Sequence, residues 1–154
     1  MLRPNRLKIA SPPSASARNP YVLNEQAGFL LRVAMQRHTA IFTARMIEDL
    51  TQTQFAALAK LLEVGPCSQN HLGRLIYLDA ATIKGVVDRL RARRFVATGH
   101  DPQDRRLRSV MLTAAGRRVT EAAIALAADI TAETLAPLST EEQRAVTRLL
   151  KKLG

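Results

Sequence analysis

The stretch that most constrains this chain is residues 69–112, QNHLGRLIYLDAATIKGVVDRLRARRFVATGHDPQDRRLRSVML. Two short helical patterns, a tight turn and a charged hairpin follow one another here with almost no spare residues. Ser68 can cap a helix over residues 69–76, whose Leu72, Leu75 and Ile76 share a face. Asp79 can cap the next one, in which Ile83, Val86, Val87 and Leu90 form the buried stripe. That second helix opens on small residues and ends in a basic cluster, Arg89, Arg91, Arg93 and Arg94. Residues 95–98 and 107–112 then read as β-like runs on either side of a polar turn that contains Pro102.

The remaining elements are helical. Residues 24–49 carry Ala27, Leu30, Leu31, Ala34, His38, Ile41, Phe42, Arg45 and Met46 at three-and-four spacing, with Asn24 as the expected cap. Phe29, Val33 and Met35 fall outside that stripe, so more than one face must be buried. Thr51 and Gln54 have capping-box spacing ahead of Phe55, Leu58, Leu61 and Leu62, and Gly65-Pro66 stops that helix. Thr113 caps a long Ala-rich helix that runs to about residue 135, before Pro137. A second capping box, Ser139 to Glu142, starts a last helix with Ala145, Val146, Leu149 and Leu150. The fold class that follows is mainly α with one small β-hairpin: a winged helix-turn-helix flanked by N- and C-terminal helices. The domain reading is a basic arm over 1–20, a dimerisation helix over 21–50, the winged unit over 51–113 and C-terminal dimerisation helices over 114–154. The terminal helices expose more apolar surface than so small a central unit can cover, which points to a second copy of the chain.

Charge points to the partner. Lys and Arg exceed Asp and Glu, 23 against 13, and four of the bases lie in the first twenty residues with no acid among them. Such an excess suits a polyanion. One cysteine excludes an intramolecular disulfide and fits a reducing cytosol. No apolar run approaches the ~20 residues that span a bilayer, so the expectation is a soluble, cytoplasmic protein without a membrane partner. Nothing suggests an enzyme, a cofactor or a bound metal: there is no Gly-rich phosphate loop, no zinc spacing of His and Cys, and no nucleophile motif. His38, His71 and His100 are far apart in sequence, although distance along the chain leaves a site assembled in a dimer open.

These observations assign double-stranded DNA to residues 69–112. A recognition helix enters the major groove by its N-terminal part, where small side chains permit close approach. Ala80, Ala81, Thr82, Lys84 and Gly85 are the exposed positions of the first two turns. Thr82 offers a hydroxyl and a methyl, and Lys84 a reach to guanine or phosphate. Gly85 costs about 1 kcal/mol of helix propensity relative to Ala, which implies a close approach either to the preceding helix or to DNA. In the hairpin, Asp104 can hold the turn through amides or an arginine, leaving Arg105 free to enter a minor groove. Arg106 completes the tip. Arg74, Arg89, Arg91, Arg93, Arg94 and Arg108 are expected to meet phosphates or to pair within the chain, and Asp88 stands where it can neutralise Arg91.

The chain resembles MarR-family winged helix-turn-helix regulators over roughly residues 24–153. The resemblance rests on LTQTQFAAL (50–58), LDAATIKGVVDRLRARRFV (78–96), DPQDRRLRSVMLT (101–113) and the Ala115-Gly116-Arg117 opening of the next helix. Asp104 and Arg106 match the family's wing acid and base, and Arg105 its variable tip. The Arg93-Arg94 pair departs from the Gly that the family often has before the strand. The resemblance implies a homodimer on an inverted-repeat operator, usually a repressor released by a small ligand such as an aromatic carboxylate. It also implies a pocket between the dimerisation helices and the winged unit, for which Met35, His38, Thr39, Phe42 and Gln52 are the candidates. The opening RNPYVLNEQAGFLLR (18–32) is similar to regulators of nicotinic-acid degradation, which makes 6-hydroxynicotinate or a related pyridine carboxylate the implied effector. Some relatives sense oxidants through a cysteine near the first helix; Cys67 lies in a different loop and is expected to be an inert, partly buried thiol. Two other functions stay open on these residues: a helical protein–protein adaptor, and an architectural protein that coats DNA without regard to sequence.

Overall fold

A computed structural model describes residues 20–101, 103–106 and 108–154, so the arm expected over 1–20 lies almost wholly outside the described residues. A 3-10 turn, Leu23–Glu25, precedes α1 (Ala27–Arg45). Then follow α2 (Gln52–Val64), α3 (Gln69–Leu75), α4 (Ala80–Ala92), β1 (Val96–His100), β2 (Arg108–Leu112), α5 (Ala114–Leu135) and α6 (Thr140–Leu153). The mainly helical class with one antiparallel hairpin is what the sequence implied.

Each expected cap downstream of α1 is present. Thr51 Oγ1 accepts from the Gln54 amide at 3.2 Å while Gln54 Oε1 accepts from the Thr51 amide at 3.1 Å. Ser68, Asp79, Thr113 and Ser139 cap the four later helices by accepting from the amide three residues on, and of these Ser139 repeats the reciprocal box, with Glu142. Each satisfies an amide that the helix itself leaves unpaired.

The first helix departs from expectation at both ends. Asn24 lies inside the 3-10 turn, and Gln26 precedes α1 without a side-chain cap. The helix stops at Arg45, where Met46 turns extended (φ −71°, ψ 138°), and Glu48 and Asp49 then take left-handed backbone, at φ 57° and 46°. That turn swings the chain back so that Met46 and Leu50 enter the core. Smaller shifts occur elsewhere: α3 ends at Leu75, and β1 begins at Val96 and runs to His100. Leu107, expected at the start of the second strand, lies outside the described residues.

The hairpin pairs Val96 with Leu112 through His100 with Arg108. Cys67 adds one bridge to Val110, so the α2–α3 loop edges the wing. The core lies where α2, α3, α4 and the hairpin converge. Leu58, Leu72, Ile83, Val86, Val87 and Leu90 are all buried there. The close helix–helix approach is at Gly73, where an added Cβ would stand 3.1 Å from both Ile83 Cγ2 and the Leu78 carbonyl oxygen. Arg94 takes the left-handed backbone (φ 61°) that a glycine would take before the strand, so its departure from the family pattern leaves the turn in place. α5 docks through Gly116, where a Cβ would fall 1.8 Å from the Phe95 carbonyl oxygen.

Candidate nucleic-acid interface and effector cavity

The start of α4 is built by Asp79. Its carboxylate accepts from the Thr82 amide at 2.8 Å and from the Thr82 hydroxyl at 2.7 Å. These bonds hold the Asp79 carboxyl below the usual carboxylate range, the Thr82 hydroxyl contributing most. The Thr82 hydroxyl proton is therefore spent within the chain, leaving its lone pairs and methyl to face outward. Ala80, Ala81, Thr82, Lys84 and Arg89 are exposed, and Gly85 is half-buried. A Cβ on Gly85 would meet only the Arg89 guanidinium, no nearer than 3.8 Å. Gly85 thus makes no close approach to α3.

The bases sort into tied and untied groups. Asp88 holds two, Lys84 at 2.6 Å and Arg91 at 3.0 Å. The Lys84 hydrogen bond, and then both positive charges, lower the Asp88 carboxyl below its ordinary range. Arg93 pairs with Glu48 at 3.1 Å and lies over the Phe95 ring. Arg74 approaches His71 at 3.4 Å. Arg105, Arg106 and Arg108 are exposed, and among the described residues no acid lies within ion-pair distance of them.

The wing tip is held by two aspartates. Asp104 accepts from the Arg106 amide at 2.9 Å, as its place in the turn implied. Asp101, which sequence reasoning passed over, accepts from the Gln103 and Asp104 amides at 2.7 and 3.3 Å. An aspartate two residues before an amide in a turn is the signal that would have found it. Both acids are used on backbone, and among the described residues no acid pairs with the tip arginines.

A cleft of about 550 Å³ lies between α4, the start of α3 and the wing, with Gln69, Asn70, Lys84, Asp88 and Arg108 among its lining. Gln69 and Asn70 were not anticipated at the interface. They follow the Ser68 cap, where exposed amides and short polar side chains suit a phosphate.

The candidate effector residues divide. Thr39, Phe42 and Gln52 line one cavity of about 400 Å³ between the end of α1 and the start of α2, and Gln52 Nε2 donates to Thr39 Oγ1 across it at 3.1 Å. Met35 lines an adjoining apolar groove of about 680 Å³ along α1, which shares Thr39 and Thr43 with the first and carries Arg32. His38 stands elsewhere. Its Nδ1 lies 3.0 Å from Thr134 Oγ1 on α5, in a separate cavity closed by α6. Its ring packs 6.1 Å from that of Phe42, so it touches the first cavity only through Phe42. Cys67 is buried, and burial pushes its thiol up from its ordinary value, with the Asp101 charge adding to the effect. A thiol so placed is a poor nucleophile.

Among the described residues no group of three or more His, Cys, Asp or Glu could hold a metal ion. No single helix there is long and apolar enough to cross a membrane.

Comparisons with known proteins agree with this fold. Residues 50–107 match the model of the MarR family. The chain is 42% identical over 148 residues to the HTH-type transcriptional repressor NicR of Pseudomonas putida, covering 95% of this chain and 94% of that protein. A probable transcriptional regulator from Pseudomonas aeruginosa superposes with a TM-score of 0.82 at 49% identity, over 86% of this chain and 100% of that one. BpsR of Bordetella bronchiseptica, whose DNA binding is regulated by 6-hydroxynicotinic acid, superposes with a TM-score of 0.81 at 41% identity, over 88% and 97%.

Proposed function

The chain belongs to the MarR family of transcriptional regulators, and we propose that it is a homodimeric repressor that binds an inverted-repeat operator and is released by a pyridine carboxylate. Its family and relatives are regulators, not enzymes. Each subunit sets α4 in a major groove and the Arg105 tip in the neighbouring minor groove. The observation that carries this reading is the pairing of an open, small-residue α4 start with a wing whose exposed arginines have no acid partner among the described residues.

Two copies are needed because the ends of the chain leave apolar surface bare. Leu30, Leu31, Val33 and Met35 on α1 are about half exposed, and Leu153 on α6 is 75% exposed. Faces of this kind are covered in a stable protein. A two-fold dimer places its reading heads about one helical turn, ~34 Å, apart.

The effector reading rests on the contiguous face of Met35, Thr39, Phe42 and Gln52. Its cavity is of ligand size, lies between α1 and the winged unit, and is lined by hydroxyls of Thr39, Thr43, Thr51 and Thr53. Arg32, at the far end of the adjoining groove, is the base nearest in line for a carboxylate. The regulation of BpsR by 6-hydroxynicotinic acid favours 6-hydroxynicotinate as the first ligand to try. A ligand releases DNA only by preferring a head spacing that the operator does not fit.

The test is a mobility-shift titration on a duplex from the chain's own upstream region, with and without 6-hydroxynicotinate and a panel of aromatic carboxylates. A salt-sensitive, sequence-selective complex that the pyridine carboxylate dissolves supports the whole reading. Selective binding that no ligand alters removes the effector and leaves the regulator. Salt-sensitive but sequence-blind binding favours an architectural protein, and no DNA binding at all favours an adaptor.

A further inference from the structure

Asp88 is the one acid within α4 and the one acid lining the cleft between α4, α3 and the wing. With Ala81, Lys84 and Gly85 it falls at helical spacing on one stripe, half-buried like Gly85 and one turn beyond Lys84. Its two oxygens are divided between two cations, Oδ2 to Lys84 Nζ at 2.6 Å and Oδ1 to Arg91 at 3.0 Å. Both pairs are exposed along the helix surface, and such pairs contribute little to folding. The arrangement matters for what the helix approaches. Without Asp88, Lys84 and Arg91 would be two free phosphate binders on the reading face, each adding affinity for any DNA. With it, both are held over one carboxylate and the triad carries a net +1 in place of +2.

We infer that Asp88 is a specificity-determining residue: it suppresses sequence-blind phosphate binding by Lys84 and Arg91 and accepts a hydrogen bond from a cytosine amino group at the base edge it meets. A carboxylate in the major groove is repelled by backbone phosphate and satisfied by the cytosine N4 donor. It therefore disfavours every register in which that donor is missing. This rests on the reading of α4 as the helix that enters the groove.

The experiment compares full-length wild type with the Asp88→Asn, Asp88→Glu and Lys84→Gln/Asp88→Asn variants. Fluorescence anisotropy measures binding to the upstream operator duplex and to a scrambled duplex of the same composition, from 50 to 200 mM KCl, with thermal melts to verify folding. Asp88→Asn is expected to bind the scrambled duplex roughly tenfold tighter or more, with a salt slope steeper by about two per dimer. The ratio of operator to scrambled affinity falls by a similar factor. Asp88→Glu keeps the charge and restores weak scrambled binding, and adding Lys84→Gln removes much of the gain made by Asp88→Asn. A folded Asp88→Asn variant with wild-type affinity and slope on the scrambled duplex would overturn the inference, as would an Asp88→Glu variant that behaves like Asp88→Asn. A wild-type chain that binds neither duplex overturns the reading of α4, and the inference with it.

Discussion

The winged unit and the terminal helices solve the burial problem in opposite ways. Between α2 and the end of β2, Leu58, Leu72, Ile83 and Leu90 are buried to within 1% of complete, and every helix start is capped by its own sequence. At the ends, α6 has no buried residue and α1 buries only Phe42. One region closes on itself; the other leaves apolar faces bare. On the proposed reading, a head that folds from its own core moves as a unit, and the bare helices pair two copies and set how far apart two such units stand. On that reading a ligand acts at the joint between the two regions, since the cavity beside α1 is lined by Thr39 and Phe42 from one and by Thr51, Gln52 and Thr53 from the other.

The largest test of this contrast strikes the joint between the regions. Gly116→Ala places a methyl where the Phe95 carbonyl oxygen already sits, so α5 must leave the wing. The expected loss is about 3 kcal/mol or more in urea unfolding, and an unchanged midpoint would mean that α5 is not docked as described. Next comes the interface. Leu149→Glu with Leu153→Glu on α6 should give monomers by sedimentation and weaken operator binding by about 100-fold or more, since the second head's effective concentration is lost. The melt of the winged unit should survive. If the double variant stays dimeric, α6 is not part of the pairing surface.

Smaller effects resolve the parts of each region. Arg105→Ala should weaken operator binding broadly and lower the salt slope by about one per subunit. A variant with full affinity and slope would remove the wing from the interface. Glu48→Gln breaks the pair with Arg93 that ties the turn after α1 to the end of α4. Both groups are partly exposed, so the stability change should be only about 0.5 kcal/mol. Smallest is the acid response. Asp79, Asp88 and Glu142 are all held below the usual carboxylate range, the first chiefly by Thr82, the second by Lys84 and the third by the Ser139 amide. A carboxyl lowered in the folded state contributes stability that is complete above its unfolded value and disappears as pH falls through the folded one. Helix content followed by circular dichroism should therefore fall on acidification below the ordinary carboxylate range, and Asp79→Asn should flatten that response.

Much of the reader was legible in the sequence because its signals are local. Thr51, Ser68, Asp79, Thr113 and Ser139 each bond an amide two or three residues away, and the wing's Asp104 does the same. What the sequence concealed is set at a distance. α1 is apolar around most of its circumference, so spacing could not say that His38 turns to Thr134 while Thr39 turns to Gln52. Its end was hidden for a related reason: Glu48 and Asp49 take left-handed backbone without a glycine to announce it. The Lys84–Asp88 pair was visible as spacing, but Lys84 read as a free base until the structure brought both oxygens of Asp88 into use.

Hydroxyl-radical footprinting of the upstream DNA decides whether two reading heads act at a fixed separation. Two protected tracts related by an inverted repeat are expected, with centres about one helical turn, ~34 Å, apart. Each should be flanked by minor-groove protection from a wing and lost when 6-hydroxynicotinate is added. Continuous protection without a repeat, or a single isolated tract, would contradict it.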